Sequence, residues 1–477
     1  MKLINAVKGL EYDGDIDENI EIKGVAYDSR KVEEGYIFVA IKGFKVDGHD
    51  FVDQAIKKGA ALIVVEREIG LDINFIKVES SRISLALISR NYYEDPTRSI
   101  NLIGVTGTNG KTSITYIVRD MLTSMNFESG LIGTIQNCIG NEIVETDSTT
   151  PESLQLNEMF SKMKNKNIKH AVMEVSSHAL SLSRVHALDF DIATFTNLTQ
   201  DHLDYHENMN NYFNEKRKLF EIAKKNLINI DDEYGEKLYN EYKEKSYSYS
   251  IKKDADFSAS SIEMSSIGTS FVLTYQNSRH LISTPFYGDI YVLNVIAAIG
   301  SLVALGMNMD DVGKAAESIK PVQGRLERVQ NDLGINILVD YAHTPDALNN
   351  VLTIGKSFTK GRLISVFGCG GDRDKTKRPK MGRISEEIAD FTIVTSDNPR
   401  TEDPEMIIKD ILTGIQENSN RYTVISDRKI AIEKSIEIAK PGDTIIIAGK
   451  GHETYQIIGT VKSHFSDVEV ALEYIKG

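Results

Sequence analysis

The sequence predicts an α/β protein built from three domains. Its 477 residues correspond to about three domains of the usual size, roughly 150 residues each. From about residue 99 onward, short apolar runs typical of buried strands alternate with helical patterns, which predicts parallel sheets flanked by helices. A glycine-rich segment at residues 103–113 joins one such strand to a helix. We therefore expect domains at residues 1–98, 99–328 and 329–477.

The first domain is predicted to be a small α/β unit. A helical pattern at residues 51–56 ends at Gly59, and the apolar run Ala61–Val65 has the composition of a buried strand. The polar segment Glu94–Arg98, which contains a proline, then breaks the pattern before the next strand. This break places the first domain boundary near residue 98.

The second and third domains are predicted from their strands and helices. Central strands are expected at Leu102–Val105, His170–Val175 and Ile192–Thr196, and later strands at Leu363–Phe367, Phe391–Thr395 and Thr444–Ala448. Helices are expected at Val295–Met307, Arg383–Ala389, Met406–Glu417 and Arg428–Ala439. The repeated strand–helix–strand order predicts a doubly wound, Rossmann-like sheet in the third domain. Ligands bind such sheets at the carboxyl ends of the strands.

The composition excludes several classes of protein. The chain is 41% hydrophobic and 26% charged, which is typical of a soluble globular protein. With 55 Lys and Arg against 69 Asp and Glu, its net charge of −14 argues against binding nucleic acid or an anionic membrane surface. Two cysteines, Cys138 and Cys369, exclude a disulfide framework and a cysteine zinc site. The first residues are too polar for a signal peptide, so we expect a cytoplasmic protein without membrane insertion.

Residues 103–113, IGVTGTNGKTS, have the pattern of a phosphate loop between a strand and a helix. Glycines allow backbone amides to approach phosphate oxygens, and the N-terminus of the following helix adds positive potential. In this interpretation Lys111 reaches the β- and γ-phosphates of ATP, and the Thr112 hydroxyl ligates Mg²⁺. The strict motif fails at Val105, where it has glycine, so a simple glycine turn is the alternative. The central domain is thus expected to be P-loop ATPase-like, with ATP contacts from Gly107, Thr108, Asn109, Gly110, Lys111, Thr112 and Ser113.

Two further polar segments follow predicted strands. Residues 173–180, MEVSSHAL, place Glu174 at a strand end, where its carboxylate suits Mg²⁺, although a lone carboxylate there is more often an ordinary polar group. Residues 196–206, TNLTQDHLDYH, carry His202 and His206 at a spacing that occurs in zinc sites. No HExxH motif or third soft ligand accompanies these histidines, so zinc is disfavoured.

These motifs resemble those of the Mur ligase family, the ATP-dependent amide-forming enzymes of peptidoglycan synthesis. The segments TGTNGKT, EVSSHAL and TNLTQDHLDYH carry the resemblance, and the first also resembles the related folylpolyglutamate synthases. The resemblance implies that Glu174 and His202 bind Mg²⁺ and that Lys216 carries a carbamate, an anionic oxygen ligand. A small shift of register selects Lys218 instead. It also implies ATP contacts from Asn294, Arg325 and Asp340. The catalytic residues that it implies are Lys111, Glu174, His202 and Lys216. The metal ligands that it implies are Thr112, Glu174, His202 and carbamylated Lys216.

Other segments resemble the family members that add the third amino acid to UDP-N-acetylmuramoyl-L-alanyl-D-glutamate. They are YDSR at residues 27–30, GFKVDG at 43–48, STTP at 148–151 and DNPR at 397–400. Contacts with the UDP-muramoyl dipeptide are implied for Ser29, Phe44, Lys45, Val46, Thr149, Thr150, Ser176 and Arg184. Contacts with the incoming amino acid are implied for Arg373, Asp397, Asn398, Pro399, Arg400, Gly449 and Glu453.

The acceptor residues favour an amino acid with an extra carboxylate. Arginine forms a charge-assisted, bidentate pair with a carboxylate, whereas Arg400 would repel the terminal ammonium of lysine. Asp397 and Glu453 can hold the amino group of the same substrate. The intact DNPR motif is the form of the members that add meso-diaminopimelate. The alternative, a proline turn with a capping aspartate, explains the turn but leaves Arg400 unexplained.

The expected reaction has two steps. ATP phosphorylates the γ-carboxylate of the D-glutamyl residue, and the amine of meso-diaminopimelate then attacks the acyl phosphate to form the amide. Mg²⁺ is the expected metal, ATP is the co-substrate, and we expect a monomer that acts on small molecules. Three alternatives stay open: the L-lysine-adding form of the ligase, a folylpolyglutamate synthase-like ligase, and a P-loop protein that senses a nucleotide without ligation.

Overall fold

The computed structural model describes residues 1–43, 46–68, 74–145, 148–265, 268–320, 323–416 and 419–476. The N-terminal unit contains α1 (Leu3–Ala6), β1 (Gly24–Ala26), β2 (Tyr36–Val39), α2 (Val52–Lys57), β3 (Leu62–Val65), β4 (Phe75–Lys77) and α3 (Ser81–Tyr92). Its four strands are parallel and lie side by side in chain order. Ile37, Leu62 and Leu85 are fully buried in the core that joins this sheet to α3.

The central unit is an eleven-stranded mixed sheet, as far as the chain is described. Its first half contains β5 (Asn101–Thr106), α4 (Lys111–Ser124), β6 (Ser129–Ile132), β7 (Asn137–Ile139), β8 (Glu142–Val144), α5 (Ser153–Asn165), β9 (His170–Glu174), α6 (Ser177–Ser181) and β10 (Ile192–Phe195). Its second half contains α7 (Leu203–His206), α8 (Met209–Ile222), β11 (Lys225–Asn229), α9 (Glu233–Glu241), β12 (Ser246–Ser250), β13 (Phe257–Ser265), β14 (Gly268–Tyr275), β15 (Ser278–Thr284), α10 (Asp289–Ala304) and α11 (Met309–Ala315). The strand order is β15-β14-β13-β12-β11-β10-β5-β9-β6-β7-β8, parallel from β13 to β6 and antiparallel at both edges.

The C-terminal unit has a six-stranded sheet in the order β16-β17-β21-β18-β19-β20 and a separate hairpin, β22-β23. The elements are β16 (Glu327–Arg328), β17 (Asn336–Asp340), α12 (Pro345–Phe358), β18 (Leu363–Phe367), α13 (Lys377–Ile388), β19 (Phe391–Val394), α14 (Pro404–Leu412), β20 (Tyr422–Val424), α15 (Arg428–Glu437), β21 (Thr444–Ala448), β22 (Tyr455–Ile458), β23 (Val461–His464) and α16 (Asp467–Lys476). From β17 to β20 the sheet is parallel, and β16 runs antiparallel at one edge.

Helix α10 lies at the centre of a large core beneath the central sheet. Residues 295–299 are all fully buried, which explains why this helix is apolar on every face. The free thiols Cys138 and Cys369 are also buried, one in the central unit and one in the C-terminal unit. Among the described residues, no helix is long and apolar enough to cross a membrane.

The predicted α/β class is confirmed, and the predicted strands agree with the structure to within one residue at each end. The helix predicted at Met406–Glu417 is wrong at its C-terminal end, because α14 stops at Leu412 and Glu417 lies outside the described residues. The stop coincides with Gly414, where a Cβ would lie 1.8 Å from a carbonyl oxygen of α13. Helix α13 starts at Lys377, six residues before the prediction, because its proline falls in the first turn, where proline is tolerated.

The units contact one another through side-chain hydrogen bonds. Gln155 Nε2 donates to the Tyr27 hydroxyl at 2.7 Å and joins the central unit to the N-terminal unit. Asn109 Nδ2 donates to Asp346 Oδ2 at 3.1 Å and joins the central unit to the C-terminal unit. The domain limits at 98/99 and 328/329 stay predictions; β16, at residues 327–328, already pairs with the C-terminal sheet.

Candidate active site

One cavity lies where strand ends of the central and C-terminal units meet. It has a volume of about 330 Å³ and is lined by β9 and the loops after β5, β9, β10, β17, β18, β19 and β21. Six cationic and six carboxylate side chains line it, although the whole chain has a net charge of −14, so cations are concentrated here. They are Lys111, Lys216, Arg325, Arg373, Lys377 and Arg400, with Glu174, Asp201, Asp204, Asp374, Asp397 and Glu453.

The phosphate loop follows β5 and needs its glycines. Gly107 has a φ of +149°, and a Cβ there would lie 1.8 Å from Thr196 Oγ1. Gly110 has a φ of +90° at the start of α4. Lys111 Nζ donates to two carbonyl oxygens of the loop, at 2.8 and 2.9 Å, and burial lowers the pKa of Lys111. The loop therefore presents a helix N-terminus and an ammonium group to the cavity.

A hydroxyl and a carboxylate meet beside this loop. Thr112 Oγ1 lies 3.0 Å from each carboxylate oxygen of Glu174 and donates to them. Glu174 is buried and also accepts from the backbone amide and the hydroxyl of Thr134, at 2.8 and 3.1 Å. Arg325 Nη2 donates to Thr112 Oγ1 at 3.2 Å. Hydroxyl and carboxylate oxygens are hard ligands, so these residues fit Mg²⁺.

Lys216 lies on α8 directly below the phosphate loop. Its side chain is buried, and its Nζ donates to the Gly107 carbonyl oxygen at 2.9 Å. Burial, with the neighbouring Lys111 cation as a smaller cause, holds the pKa of Lys216 well below its usual range. Lys218, the alternative in the other register, pairs with Glu215 at 2.7 Å on an exposed part of α8. Of the two lysines, Lys216 is the one that lines the cavity.

His202 lines the cavity at the start of α7. Its Nε2 lies 3.4 Å from Asp201 Oδ2, and desolvation lowers the pKa of His202. His206, which shares the HxxxH spacing, is buried and hydrogen-bonded through Nε2 to Ser177 Oγ at 2.9 Å. In the part of the chain that is described, no three His, Cys, Asp or Glu side chains form a metal-binding group.

Most of the predicted ATP residues line this cavity or a smaller one of about 60 Å³ beside it. Ser113, Asn294 and Asp340 line the smaller cavity, Asn109, Gly110 and Arg325 line both, and Gly107 lines neither. The carboxylate oxygens of Asp340 accept two backbone amides, at 2.7 and 2.8 Å, and burial raises the pKa of Asp340. The two cavities are neighbours, because Asn109, Gly110 and Arg325 belong to the lining of both.

The residues predicted to bind the UDP-muramoyl dipeptide lie in two places. Thr149 and Ser176 line the main cavity. The Thr150 hydroxyl donates to the Glu174 carbonyl oxygen, and Arg184 Nη1 donates to the Thr150 carbonyl oxygen, both at 2.8 Å. Thr150 is therefore hydrogen-bonded to the end of β9, and Arg184 is hydrogen-bonded to Thr150. Ser29 and Val46 lie on the N-terminal unit and do not line the cavity, and Phe44 and Lys45 lie outside the described residues.

Two arginines line the C-terminal side of the cavity. Arg400 Nη1 donates to the Gly371 carbonyl oxygen at 2.8 Å, and Arg373 Nη1 donates to the Asp372 carbonyl oxygen at 3.0 Å. Within the described residues, neither guanidinium group has a carboxylate partner at ion-pair distance. Both positive charges are thus available to an anionic ligand.

Carboxylates and an amide lie beside these arginines. Asp397 Oδ1 accepts from the Asn398 backbone amide at 2.6 Å, and Asn398 Nδ2 donates to Glu453 Oε2 at 2.9 Å. Gly449 has a φ of +122°, and a Cβ there would lie 2.6 Å from Asp397 Oδ2, so glycine leaves room for that carboxylate. Pro399, in the same loop, is buried and does not line the cavity.

Sequence reasoning missed several residues of the site. Asp201, His343 and Lys377 line the cavity, and Lys450 lies fully buried behind it. Asp201 lies inside the segment TNLTQDHLDYH, and Lys450 lies inside GKGHE at residues 449–453, so their position in the chain is an available signal. Lys377 lies in no predicted motif, and its place in the cavity depends on the packing of α13.

The chain belongs to the Mur ligase family. Three domain families match consecutive segments: "Mur ligase family, catalytic domain" at residues 21–97, "Mur ligase middle domain" at 105–302, and "Mur ligase, glutamate ligase domain" at 324–451. Members of this family are ATP-dependent amide ligases, and the phosphate loop with its neighbouring carboxylate agrees with that class.

Several relatives carry one name, UDP-N-acetylmuramoyl-L-alanyl-D-glutamate--2,6-diaminopimelate ligase. That of Clostridioides difficile strain 630 is 47% identical over 99% of both chains, and that of Clostridium botulinum strain ATCC 19397 is 45% identical over 100% of both. A solved structure of a ligase of this name has a TM-score of 0.72 and 33% identity, and covers 100% of this chain and 99% of its own. A Mycobacterium tuberculosis folylpolyglutamate synthase has a TM-score of 0.60 at 18% identity, over 77% of this chain and 92% of its own, which shows a common fold alone.

Proposed function

We propose that the protein ligates meso-diaminopimelate to the D-glutamyl γ-carboxylate of UDP-N-acetylmuramoyl-L-alanyl-D-glutamate, with ATP as co-substrate. The observation that carries this proposal is one cavity that holds both the phosphate loop and the DNPR arginine. A ligase must bring an activated carboxylate and an amine to the same place, and this cavity joins the two sets of residues. The full-length relatives named for the same reaction support it.

ATP is expected to bind across both cavities. Its phosphates would lie against the loop amides and Lys111, and its adenosine would lie beside Asn294 and Asp340. Mg²⁺ would be held by Thr112, Glu174, His202 and carbamylated Lys216, and it would neutralise phosphate charge when bound. The ammonium of Lys111, which bonds two carbonyl oxygens of the loop, would stabilise the negative charge on the phosphates during phosphoryl transfer.

The surroundings of Lys216 support a carbamate. Carbamylation requires a neutral amine: the nitrogen forms a bond to the carbon of CO₂ and releases a proton. The depressed pKa of Lys216 favours that neutral form. The product is an anion, so the neighbouring Lys111 cation would stabilise it instead of repelling it.

The first chemical step would form an acyl phosphate. A γ-carboxylate oxygen attacks the γ-phosphorus of ATP, and ADP leaves. The amine of the acceptor then attacks the carbonyl carbon, phosphate leaves, and the amine loses a proton. Thr149 and Ser176, which line the same cavity as Lys111, are placed to hold the glutamyl end of the dipeptide. Closure of the two units around this cavity would restrict water, which would hydrolyse the acyl phosphate.

Arg400 would select the acceptor. Its unpaired guanidinium suits the distal carboxylate of meso-diaminopimelate, and Asp397 and Glu453 suit the ammonium group. Lysine offers an ammonium alone, so it would lose the pair with Arg400.

We further infer a cytoplasmic monomer that acts on small molecules. Both thiols are free and buried, which is compatible with a reducing compartment.

The test is ADP release by the purified protein with ATP, the UDP-dipeptide and a panel of amino acids. We expect wild type to prefer meso-diaminopimelate over lysine. Arg400→Ala should lower kcat/KM for diaminopimelate by about 10- to 150-fold, the effect of losing one charged hydrogen bond worth roughly 1.5–3 kcal/mol, and should change the lysine value much less. Arg383→Ala, on an exposed position of α13, is the matched control.

Three results would overturn parts of this proposal. A preference for lysine, or an equal loss for both acceptors in Arg400→Ala, would reject Arg400 as the selecting group. ADP release that needs a pteroyl substrate in place of the UDP-dipeptide would indicate the folylpolyglutamate reaction. Nucleotide binding without ADP release under any condition would indicate a sensor.

A further inference from the structure

We propose that Lys450 is a positioning residue of the acceptor site, a role that rests on the function proposed above. Its side chain is fully buried and does not line the cavity. An ammonium group is costly to remove from water unless it is paired and hydrogen-bonded. Both hydrogen-bond partners of this ammonium are residues of the predicted acceptor site.

The ammonium of Lys450 holds one oxygen of a carboxylate. Its Nζ lies 2.9 Å from Glu453 Oε2, which also accepts from Asn398 Nδ2 at 2.9 Å. The other oxygen, Oε1, has one long hydrogen bond, 3.4 Å from the Tyr455 hydroxyl. Glu453 therefore has one oxygen committed to the protein and one with capacity for a ligand. Because Glu453 lines the cavity, that ligand can be the ammonium of the acceptor.

Lys450 also sets the orientation of an amide. Asn398 Oδ1 accepts from Lys450 Nζ at 3.1 Å and from the Ile457 backbone amide at 3.0 Å. Two donors on Oδ1 leave Nδ2 as the atom that faces Glu453. A single ammonium thus couples the loop after β19, which carries DNPR, to the loop after β21, which carries GKGHE. Loss of Lys450 would free both the carboxylate and the amide to rotate.

This arrangement predicts a change in acceptor affinity with little change elsewhere. Among the described residues, the hydrogen bonds of Lys450 Nζ go to Asn398 and Glu453 and not to the phosphate loop or the predicted dipeptide residues. We expect Lys450→Met to raise KM for diaminopimelate by about tenfold, because a positioned ligand to the substrate ammonium is lost. The KM values for ATP and UDP-dipeptide, and kcat at saturating acceptor, should stay within about threefold of wild type. Lys462→Met is the matched control, since Lys462 Nζ lies 3.9 Å over the Tyr455 ring on the exposed hairpin and does not bond Glu453.

A double variant separates positioning from a general structural role. In a Glu453→Gln background the carboxylate is already lost, so adding Lys450→Met should raise KM for diaminopimelate by less than about twofold. This comparison also applies if Lys450→Met alone fails to fold, because the double variant removes both charges of the buried pair.

Two outcomes would overturn the inference. One is a diaminopimelate KM in Lys450→Met that is unchanged from wild type. The other is a full tenfold rise that persists in the Glu453→Gln background. A wild-type protein that does not use diaminopimelate at all would instead overturn the proposed function, so the two failures are distinguishable.

Discussion

Two lysines approach the same carbonyl oxygen in the phosphate loop. Lys111 and Lys216 each donate to the Gly107 carbonyl at 2.9 Å, one from α4 and one from α8. Burial is the main cause that lowers both pKa values, and the charge of Lys111 lowers that of Lys216 further. Conversion of one amine to an anion would turn this repulsion into attraction. The nearness of the Lys111 cation to the Lys216 amine is therefore a reason, at the residue level, to expect chemical modification of Lys216.

The carbamate can be tested by chemical rescue. We expect Lys216→Ala to lose at least about 100-fold in kcat, because a metal ligand is missing, and to regain activity with a short carboxylic acid at high concentration. Lys218→Ala is the matched control, since Lys218 lies on the same helix, is exposed and pairs with Glu215. Steady-state rates with and without acetate measure the effect. Equal activity in Lys216→Ala and wild type, or an inactive variant that no acid restores, would contradict the carbamate.

Residues of the site were predictable where they form a contiguous motif. The segments around Lys111, Glu174 and Arg400 each contain the residue types that their proposed chemistry requires within a few positions. Lys377 was not predictable, because its place in the cavity depends on how α13 packs against the central unit. Lys450 is not predictable for a different reason. It lies inside a recognised motif, but its burial depends on the tertiary structure and leaves no local pattern in the sequence.

At the scale of elements, strands were predicted better than helix ends. Buried parallel strands such as β18 and β21 are mostly apolar runs, and that pattern is local. The C-terminal end of α14 coincides with Gly414, which packs against the backbone of α13, and no local pattern reports such a contact. The antiparallel strands β13, β14 and β15 are not predicted, because polar residues such as Ser270, Thr274 and Ser278 interrupt their apolar side chains and no long apolar run marks them.

The loop that carries Arg400 is attached to α13 by a charged pair. Glu402 accepts from Arg378 Nη2 at 2.8 Å and Nη1 at 3.0 Å, and from the Asp372 backbone amide at 2.6 Å. The Arg378 hydrogen bonds lower the pKa of Glu402 from 4.5 to about 2. A depressed carboxyl pKa stabilises the fold above the unfolded-state value, and that contribution disappears as the pH falls from about 4.5 toward 2.

Glu402→Gln should therefore destabilise the protein in a pH-dependent way. At pH 7 we expect a loss of about 1.5–3 kcal/mol in the free energy of unfolding of the C-terminal unit, the usual contribution of hydrogen bonds to a charged group, and the difference from wild type should narrow below about pH 4.5. Glu437→Gln, which removes an exposed carboxylate paired with Lys434 on α15, should change stability by less than about 0.5 kcal/mol. Urea denaturation followed by circular dichroism at several pH values gives both differences. A difference that stays constant from pH 7 to pH 3 would contradict the role of the carboxylate.

For the whole molecule, the cavity joins two units that each have their own core. Gln200 Nε2 of the central unit donates to Thr376 Oγ1 of the C-terminal unit at 3.1 Å, and Asn109 bonds Asp346. Besides these polar contacts, Ile354 of α12 packs in the apolar core of the central unit. Because most of each core lies within one unit, the units are expected to unfold in separate steps. Among the described residues, none of the N-terminal unit lines the cavity.

A nucleotide that spans the cavity should stabilise the central and C-terminal units together. With a non-hydrolysable ATP analogue at about 100 times its Kd, we expect stabilisation by about 2.7 kcal/mol, and the thermal transitions of both units should move upward. The transition of the N-terminal unit should not move, which makes it an internal control. Differential scanning calorimetry of the full chain measures the transitions. Movement of the central transition alone would mean that the C-terminal unit does not hold the nucleotide.

The two cysteines give the native chain its own chemical reporters. Cys138 is buried beside β6, and Cys369 is buried just after β18, next to the glycine that begins the acceptor side of the cavity. Burial raises the pKa of Cys138, and raises that of Cys369 to about 12. Alkylating reagents require an exposed thiolate, so each sulfur can be labelled only when its own surroundings open. The rate at which a thiol reagent labels each cysteine would thus measure, without any engineered probe, how often the central unit and the C-terminal unit open locally and independently of each other.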